Sequence, residues 1–502
     1  MKKIILSSFA ISTVLLAVSC KTDFETDVKD IQVTSGNADF TKYVSLGNSL
    51  TSGYRDGALY SDGQKESYPS MIARQMALAG GGSFSQPLMP NNVGGFANLG
   101  VTGKLILSPT LSPTPSTAGG DLDIIGGAGK YFNNMGVPGA KSFHLVAAGY
   151  GSPTNLSTGR ANPYFVRFAT SASTSVLADA MAQRPTFFSL WIGNNDVLSY
   201  ATSGGMGTNQ TGNVDPTTYG SNDISDPNVV AGSIKAVLDG LKSVGSTKGV
   251  IANIPYVTTI PYFTTVPYNP LTPTLLGANL ATLNASLYGP LKQALTAFGA
   301  GSRINLLSAT SANPVLIKDV SLPDLSAQLT AALTPALGAP TATAFGQIFG
   351  QARQATAEDY ILLPTSAVIG TTKSGAPAPV NVYGISYPLD NQHVLTKTEA
   401  ASVKTAVDAY NTAIAQMATS YGLALMDANT KMAELSRTSG ILYNGVRYTA
   451  SFVVGGSFSL DGVHPTGRGY AIIANSFIDA INNKYNSKLP LVDVNAYSGI
   501  SF

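Results

Sequence analysis

Three near-continuous apolar runs, each ended by a glycine, proline or aspartate, do most to limit the fold open to this 502-residue chain. They are PTFFSLWIG (185–193), GVIANIP (249–255) and GLALMD (422–427). A strand with one wet face alternates apolar and polar residues. A strand apolar throughout is covered on both faces, which is the condition of a parallel sheet. Tyr43, Val44 and Leu46 read as one more short buried strand. Between the runs lie helical patterns. Over 228–244, Val230, Ile234, Val237, Leu238, Leu241 and Val244 form one apolar stripe. Over 396–419, Val403, Val407, Tyr410, Ile414 and Met417 do the same, behind a capping box of Thr396 and Glu399. A last helix opens at Pro465 and Thr466 and turns Ile472, Ile473, Phe477 and Ile481 inward. Strand alternating with helix, joined by right-handed crossovers, predicts a three-layer α/β/α sandwich around a central parallel sheet.

Two stretches exceed what such a sheet needs. Residues 198–226 are Gly, Thr, Asn and Asp with few apolar residues, and read as a surface loop. Residues 262–390 form a long, mostly helical insertion rich in Ala, Leu, Thr and Pro. Leu325, Leu329, Leu333 and Leu337 recur at every fourth position there, while Pro335 and Pro340 cut the segment into short pieces. The insertion is either extra helices packed on the sheet or a cap that overhangs Ser49 with an apolar wall.

The first residues, MKKIILSSFAISTVLLAVSC, have a basic start, an apolar run short for a bilayer span, and small residues before Cys20, the one cysteine. This resembles the signal peptide of a bacterial lipoprotein over residues 1–19, with Cys20 as the lipidated residue and Ala17 a departure from the usual leucine. An ordinary secretory signal is the alternative. Residues 20–39 read as a polar tether, and KTDFETDVKD resembles acidic export signals of Bacteroidetes-type surface lipoproteins. The expected location is the outer membrane, facing the periplasm or the cell surface, with the membrane held through the N-terminal lipid. The domain proper is read as 40–485, with 486–502 a C-terminal tail. A lone cysteine rules out an internal disulfide. Lys+Arg 30 against Asp+Glu 28 leaves no basic surface for nucleic acid. No cluster has zinc or calcium spacing, so neither metal nor cofactor is expected. A monomer is expected.

The chemistry starts at KYVSLGNSLTSGY (42–54), where a strand stops at Gly47 and a serine follows at the turn. Ligands bind beyond the carboxyl ends of parallel strands. Ser49 is expected to stand exposed there, at the start of a helix whose free N–H groups favour negative charge. It is either a nucleophile whose own N–H helps hold an oxyanion or a helix N-cap. A nucleophilic serine needs a base. His144 lies within a helical stretch. His393 and His464 each follow an aspartate by three residues, Asp390 and Asp461, and that spacing can set a carboxylate on the imidazole. Context favours His464, because Asp390 and His393 precede a helix start that needs polar groups. Asn195 in WIGNNDV and the Gly139 N–H in NNMGVPGAKS are candidate oxyanion donors. A G-x-S-x-G elbow is absent, since Thr51 stands at its last position, and GGAGKY (126–131) lacks the ends of a phosphate loop.

The ordered motifs GNSL, NMGVPG, GNND and DGVHP resemble those of the SGNH/GDSL hydrolase superfamily over about residues 40–200 and 395–485. The resemblance implies a flavodoxin-like sheet and a Ser-His-Asp triad. Ser49 would be the nucleophile, His464 the base and Asp461 its orienting acid. The Ser49 N–H, Gly139 and Asn195 would form the oxyanion hole. Asn48 departs from the family's usual aspartate. The expected activity is that of an esterase or lipase on carboxylic esters, lipid acyl esters before others. The alternatives are a carbohydrate O-acetyl esterase acting on an acylated glycan and a non-catalytic surface-anchored binding lipoprotein.

Overall fold

The computed structural model describes residues 32–109 and 112–500. Cys20 and the signal segment lie outside the described residues. Five strands form the central sheet: β1 Tyr43–Gly47, β2 Asn134–Gly136, β3 Phe187–Trp191, β4 Gly249–Ala252 and β5 Ala424–Met426. Their order is β5-β4-β3-β1-β2, and every pairing is parallel. This is the doubly wound arrangement, with its switch point between β1 and β3. Every residue of β1, β3 and β4 is buried, as their uninterrupted apolar character requires. The edge strand β2 escapes sequence reading because Asn-Met-Gly holds a single large apolar residue and leaves no apolar run.

The helices of the fold include, in chain order, α1 Ser49–Ser52, α2 Tyr68–Leu78, α3 Asn195–Thr202, α4 Pro227–Ser243, α5 Ser326–Leu337, α6 Ala339–Phe349, α7 Lys397–Ser420, α8 Ala428–Leu435 and α9 Gly467–Tyr485. Helices α2 and α9 pack together, with the Tyr68 and Phe477 rings stacked at 4.7 Å and both edge-on to Trp191. Helices α4 and α7 pack against each other and bury the stripes read from the sequence. Glu399 accepts from the Thr396 N–H at 2.7 Å at the start of α7.

Residues 198–226 are more than a surface loop. The first five complete α3, and the return is pinned inside the protein. Ile224 is fully buried, the Ser225 N–H donates to the Asp196 carbonyl at 2.9 Å, and Tyr410 donates to the Ser225 carbonyl.

The 262–390 segment has an apolar core of its own, built on residues such as Leu271, Tyr288, Leu295, Leu316, Leu329 and Phe349. Helices α5 and α6 form a hairpin within it. Pro335 does not break α5 but sits inside its last turn, where the chain is already ending. The four-residue leucine repeat drifts round the helix. Leu329 is fully buried, and Leu337 is 40% exposed. The segment meets the 459–464 turn at Gly462, whose carbonyl accepts from the Tyr262 N–H at 2.9 Å and against which the Leu363 side chain packs. The described part of the C-terminal stretch packs down rather than trailing away. Leu489, Val492 and Val494 are buried, and the Ser498 hydroxyl accepts from Arg55.

Candidate active site

Gly47 ends β1 because nothing larger fits. A Cβ there would lie 2.1 Å from Thr51 Oγ1 and 2.4 Å from the Trp191 carbonyl. The chain turns straight into α1. Asn48 is its N-cap, accepting from the Leu50 N–H at 3.0 Å, so Ser49 is the first helical residue and not the cap. Ser49 is also not exposed as expected, being 6% accessible. The nucleophile candidate sits at the bottom of the crevice because α1 folds back against β1 and β2.

The structure brings Ser49, His464 and Asp461 together. His464 Nε2 lies 2.9 Å from Ser49 Oγ, and Nδ1 lies 2.8 Å from Asp461 Oδ2. An ionised Asp461 only accepts, so Nδ1 carries the proton and Nε2 is free to take the serine's. Asp461 Oδ1 accepts from the Val463 and His464 N–H groups and from the Ser459 hydroxyl. Burial pushes the Asp461 carboxyl up. The His464 imidazole and these main-chain donors outweigh it and hold the group below the usual carboxylate range. The Tyr54 ring packs on His464, 4.8 Å between centroids.

Sequence reasoning missed a second support. Residues 55–58 form a tight turn, with Asp56 and Gly57 both at positive φ. The Gly57 N–H donates to Asp461 Oδ2 at 2.9 Å, and Asp56 accepts from the Leu460 N–H at 3.0 Å. Asp56 N–H also donates to Ser459 Oγ. Tyr60 and Arg55 hold Asp56 from behind. The one signal was DG at 56–57, a turn dipeptide.

Each of the three candidate donors has a hydrogen to spare. Ser49 N–H, at the first helical position, has no intrahelical acceptor. Gly139 is exposed, at φ +80°, a conformation that favours glycine, and its N–H has no partner among the described residues. Asn195 Nδ2 donates one hydrogen to the Ala140 carbonyl at 2.9 Å and keeps the other. Asp196 holds this turn in place. Its carboxylate accepts from Ser142 N–H at 2.8 Å and Ser142 Oγ at 3.0 Å. Burial raises its pKa. Asn48 Nδ2 donates to Asn194 Oδ1 at 3.2 Å, tying the serine turn to the asparagine turn.

The other histidines are elsewhere employed. Asp390 pairs with Lys373 at 3.0 Å rather than with His393, whose ring contacts Thr365, Gln392 and Tyr383. His144 Nδ1 accepts from the Lys141 N–H and its ring stacks on Tyr150. Burial, helped by the Lys141 charge, pushes His144 down to about 4.

No family model matches the chain, and no curated protein matches it. Among solved structures it is similar to a variant acetyl-xylooligosaccharide esterase from Geobacillus, at 10% identity and a TM-score of 0.31, over 89% of this chain and 96% of that one. It is also similar to an extracellular lipase from Streptomyces rimosus, at 11% identity and a TM-score of 0.28, over 88% of this chain and 99% of that one. Likeness at these values carries no argument about chemistry, which rests on the geometry.

Two hollows adjoin the turns that carry the site residues. An apolar pocket of about 590 Å³, counted with its open mouth, includes Leu50 and Val463, the chain neighbours of Ser49 and His464. None of its lining residues comes from 262–390. That segment has a core of its own, while its Phe263 and Leu362 join the main core. The second, a groove of about 2430 Å³, counted with open solvent, runs from Gly139 past Phe143, Tyr150, Arg160 and Tyr219. Part of it is built by the 216–222 stretch that the sequence presents only as loop.

Proposed function

We propose that this protein is a serine hydrolase of carboxylic esters, working through an acyl-enzyme. The observation that carries the reading is a single imidazole within hydrogen-bond reach of both Ser49 Oγ and Asp461. His464 Nε2 takes the Ser49 proton as Oγ attacks the ester carbonyl. The carbonyl oxygen becomes an oxyanion held by the Ser49 and Gly139 N–H groups and Asn195 Nδ2. The tetrahedral centre collapses and the C–O bond to the alcohol breaks. His464 Nε2 gives its proton to the departing alkoxide. Water then repeats the sequence on the acyl-enzyme, with His464 as base, and releases the acid and Ser49. Asp461 keeps Nδ1 protonated and steadies the imidazolium.

The test is a p-nitrophenyl ester series on protein lacking residues 1–20. Ser49→Ala and His464→Ala should each lose hydrolysis, and the double variant should be no worse, since the two act as a unit. His393→Ala should stay active. Ser49→Ala within tenfold of wild type at an unchanged melting temperature would refute the reading and favour a surface-anchored binding protein.

Lipid-type acyl esters suit the apolar pocket beside the triad. A second reading, an O-acetyl esterase on glycans, is favoured by the groove at Gly139, whose aromatic rings and polar rim suit sugars. Acetylated oligosaccharides assayed beside p-nitrophenyl octanoate separate the two. The outer-membrane lipoprotein placement rests on residues 1–20 alone. Cys20→Ala should shift the protein from the membrane to the soluble fraction.

A further inference from the structure

We propose that the apolar pocket between α8, α9 and the 457–465 turn is the subsite for an aliphatic acyl chain, and that it sets the enzyme's chain-length preference. The inference rests on the esterase reading above and names the acid half of its substrate. The pocket is tied to the reacting residues through their chain neighbours. Leu50 follows Ser49 and Val463 precedes His464, and both side chains line it. Its far wall is Met432 and Leu435 of α8 and Ile473 of α9. An acyl chain on Ser49 Oγ that runs toward Leu50 and Val463 meets this apolar surface.

Water is a poor occupant. An ordered water needs two to four polar partners. The lining offers the Lys431 ammonium, already paired with Glu434 at 2.7 Å, and one hydroxyl, Ser457 Oγ. That hydroxyl is buried and has no partner among the described residues. A cavity this dry gains from an alkyl occupant more than from solvent. An acetyl group would leave most of it unfilled. The methionines suit a chain of variable length, because their unbranched thioethers adapt to it. Ile473 is half-buried although the sequence pattern turns it inward, which fits a side chain facing a cavity rather than a neighbouring helix.

The experiment is a p-nitrophenyl series from acetate to laurate on wild type, Met432→Trp, Ile473→Phe and Ile473→Ala. For wild type, kcat/KM should rise about fourfold per added methylene until the pocket is full. The two filling variants should lose at least tenfold on octanoate while hydrolysing acetate within about twofold of wild type. Ile473→Ala should move the optimum to a longer chain, so the inference stays testable if a filling variant folds poorly. Hydrolysis of esters by wild type with acetate preferred, or octanoate activity unmoved by these substitutions at wild-type acetate rates, would overturn the subsite and leave the triad intact. Hydrolysis of no ester by wild type would overturn the esterase reading itself.

Discussion

At the residue scale, Asn48 shows why an amide can replace an acid at a helix cap. Its oxygen accepts from the Leu50 N–H as an aspartate would, but its Nδ2 also donates to Asn194 Oδ1, which a carboxylate cannot do. The substitution was plain in the sequence. Its second partner, 146 residues away, was not. Asn195 makes the sharpest kinetic prediction. In the proposed mechanism its free Nδ2 hydrogen would meet charge that exists only in the transition state. Asn195→Ala should lower kcat by about 10²–10³ with KM little changed. Steady-state kinetics on a short p-nitrophenyl ester checks this, and a change confined to KM would make Asn195 a binding residue.

At the scale of elements, two turns act as one. The 55–58 turn clasps the 459–464 turn, so the orientation of Asp461 depends on a segment some 400 residues away in the chain. Asp56→Gly keeps the positive φ and removes the carboxylate. It should lower kcat about tenfold, the worth of one charge-assisted hydrogen bond, at nearly constant KM. Asp56→Asn keeps an oxygen for the Leu460 N–H and should restore most of the rate. Equal rates for Asp56→Gly and wild type would remove the turn from the machinery. The insertion hangs on a different device. Arg353 is paired at 2.6 Å with both Asp319 and Asp359, and all three side chains are buried. The Asp359 carboxylate also accepts from the Lys397 N–H at the head of α7. Arg353→Leu strands two buried carboxylates, at a cost of about 3–5 kcal/mol. Limited proteolysis should then cut first within 262–390. An unchanged digest and melting temperature would show that the ion triad is not what holds the segment.

For the whole molecule, pH offers a test of burial. His144 titrates at about 4 in the fold because burial opposes its charge, against about 6.5 in an unfolded chain. Between those values the unfolded chain binds a proton that the native protein refuses. Stability from this group is therefore lost as pH falls from about 6.5 to about 4 and is level outside that window. His144→Phe removes the term. Melting temperatures measured at pH 7.5, 5.5 and 4 should fall less steeply for the variant than for wild type. Parallel curves would mean that His144 is solvated in solution. Asp461 contributes in both proteins and cancels in the comparison.

The sequence by itself determined four of the five central strands, three of the covering helices and the residues that meet at the crevice. These signals are local. Burial on both faces leaves an unbroken apolar run, a helix leaves a stripe, and a strand that stops for chemistry leaves small and polar residues at its end. Spacing left two D-x-x-H turns open, and context favoured His464. Only the tertiary structure decided what holds the other turn away, Asp390 being drawn to Lys373, a partner 17 residues before it. It also decided that Ser49 lies sunk in the crevice, that Gly57 and Asp56 support the acid, and that the 262–390 segment builds a core of its own. Each of those outcomes is a choice among partners far apart in the chain. Periodicity and spacing carry no information about such choices, since they depend on which surfaces exclude water from one another once the sheet has formed.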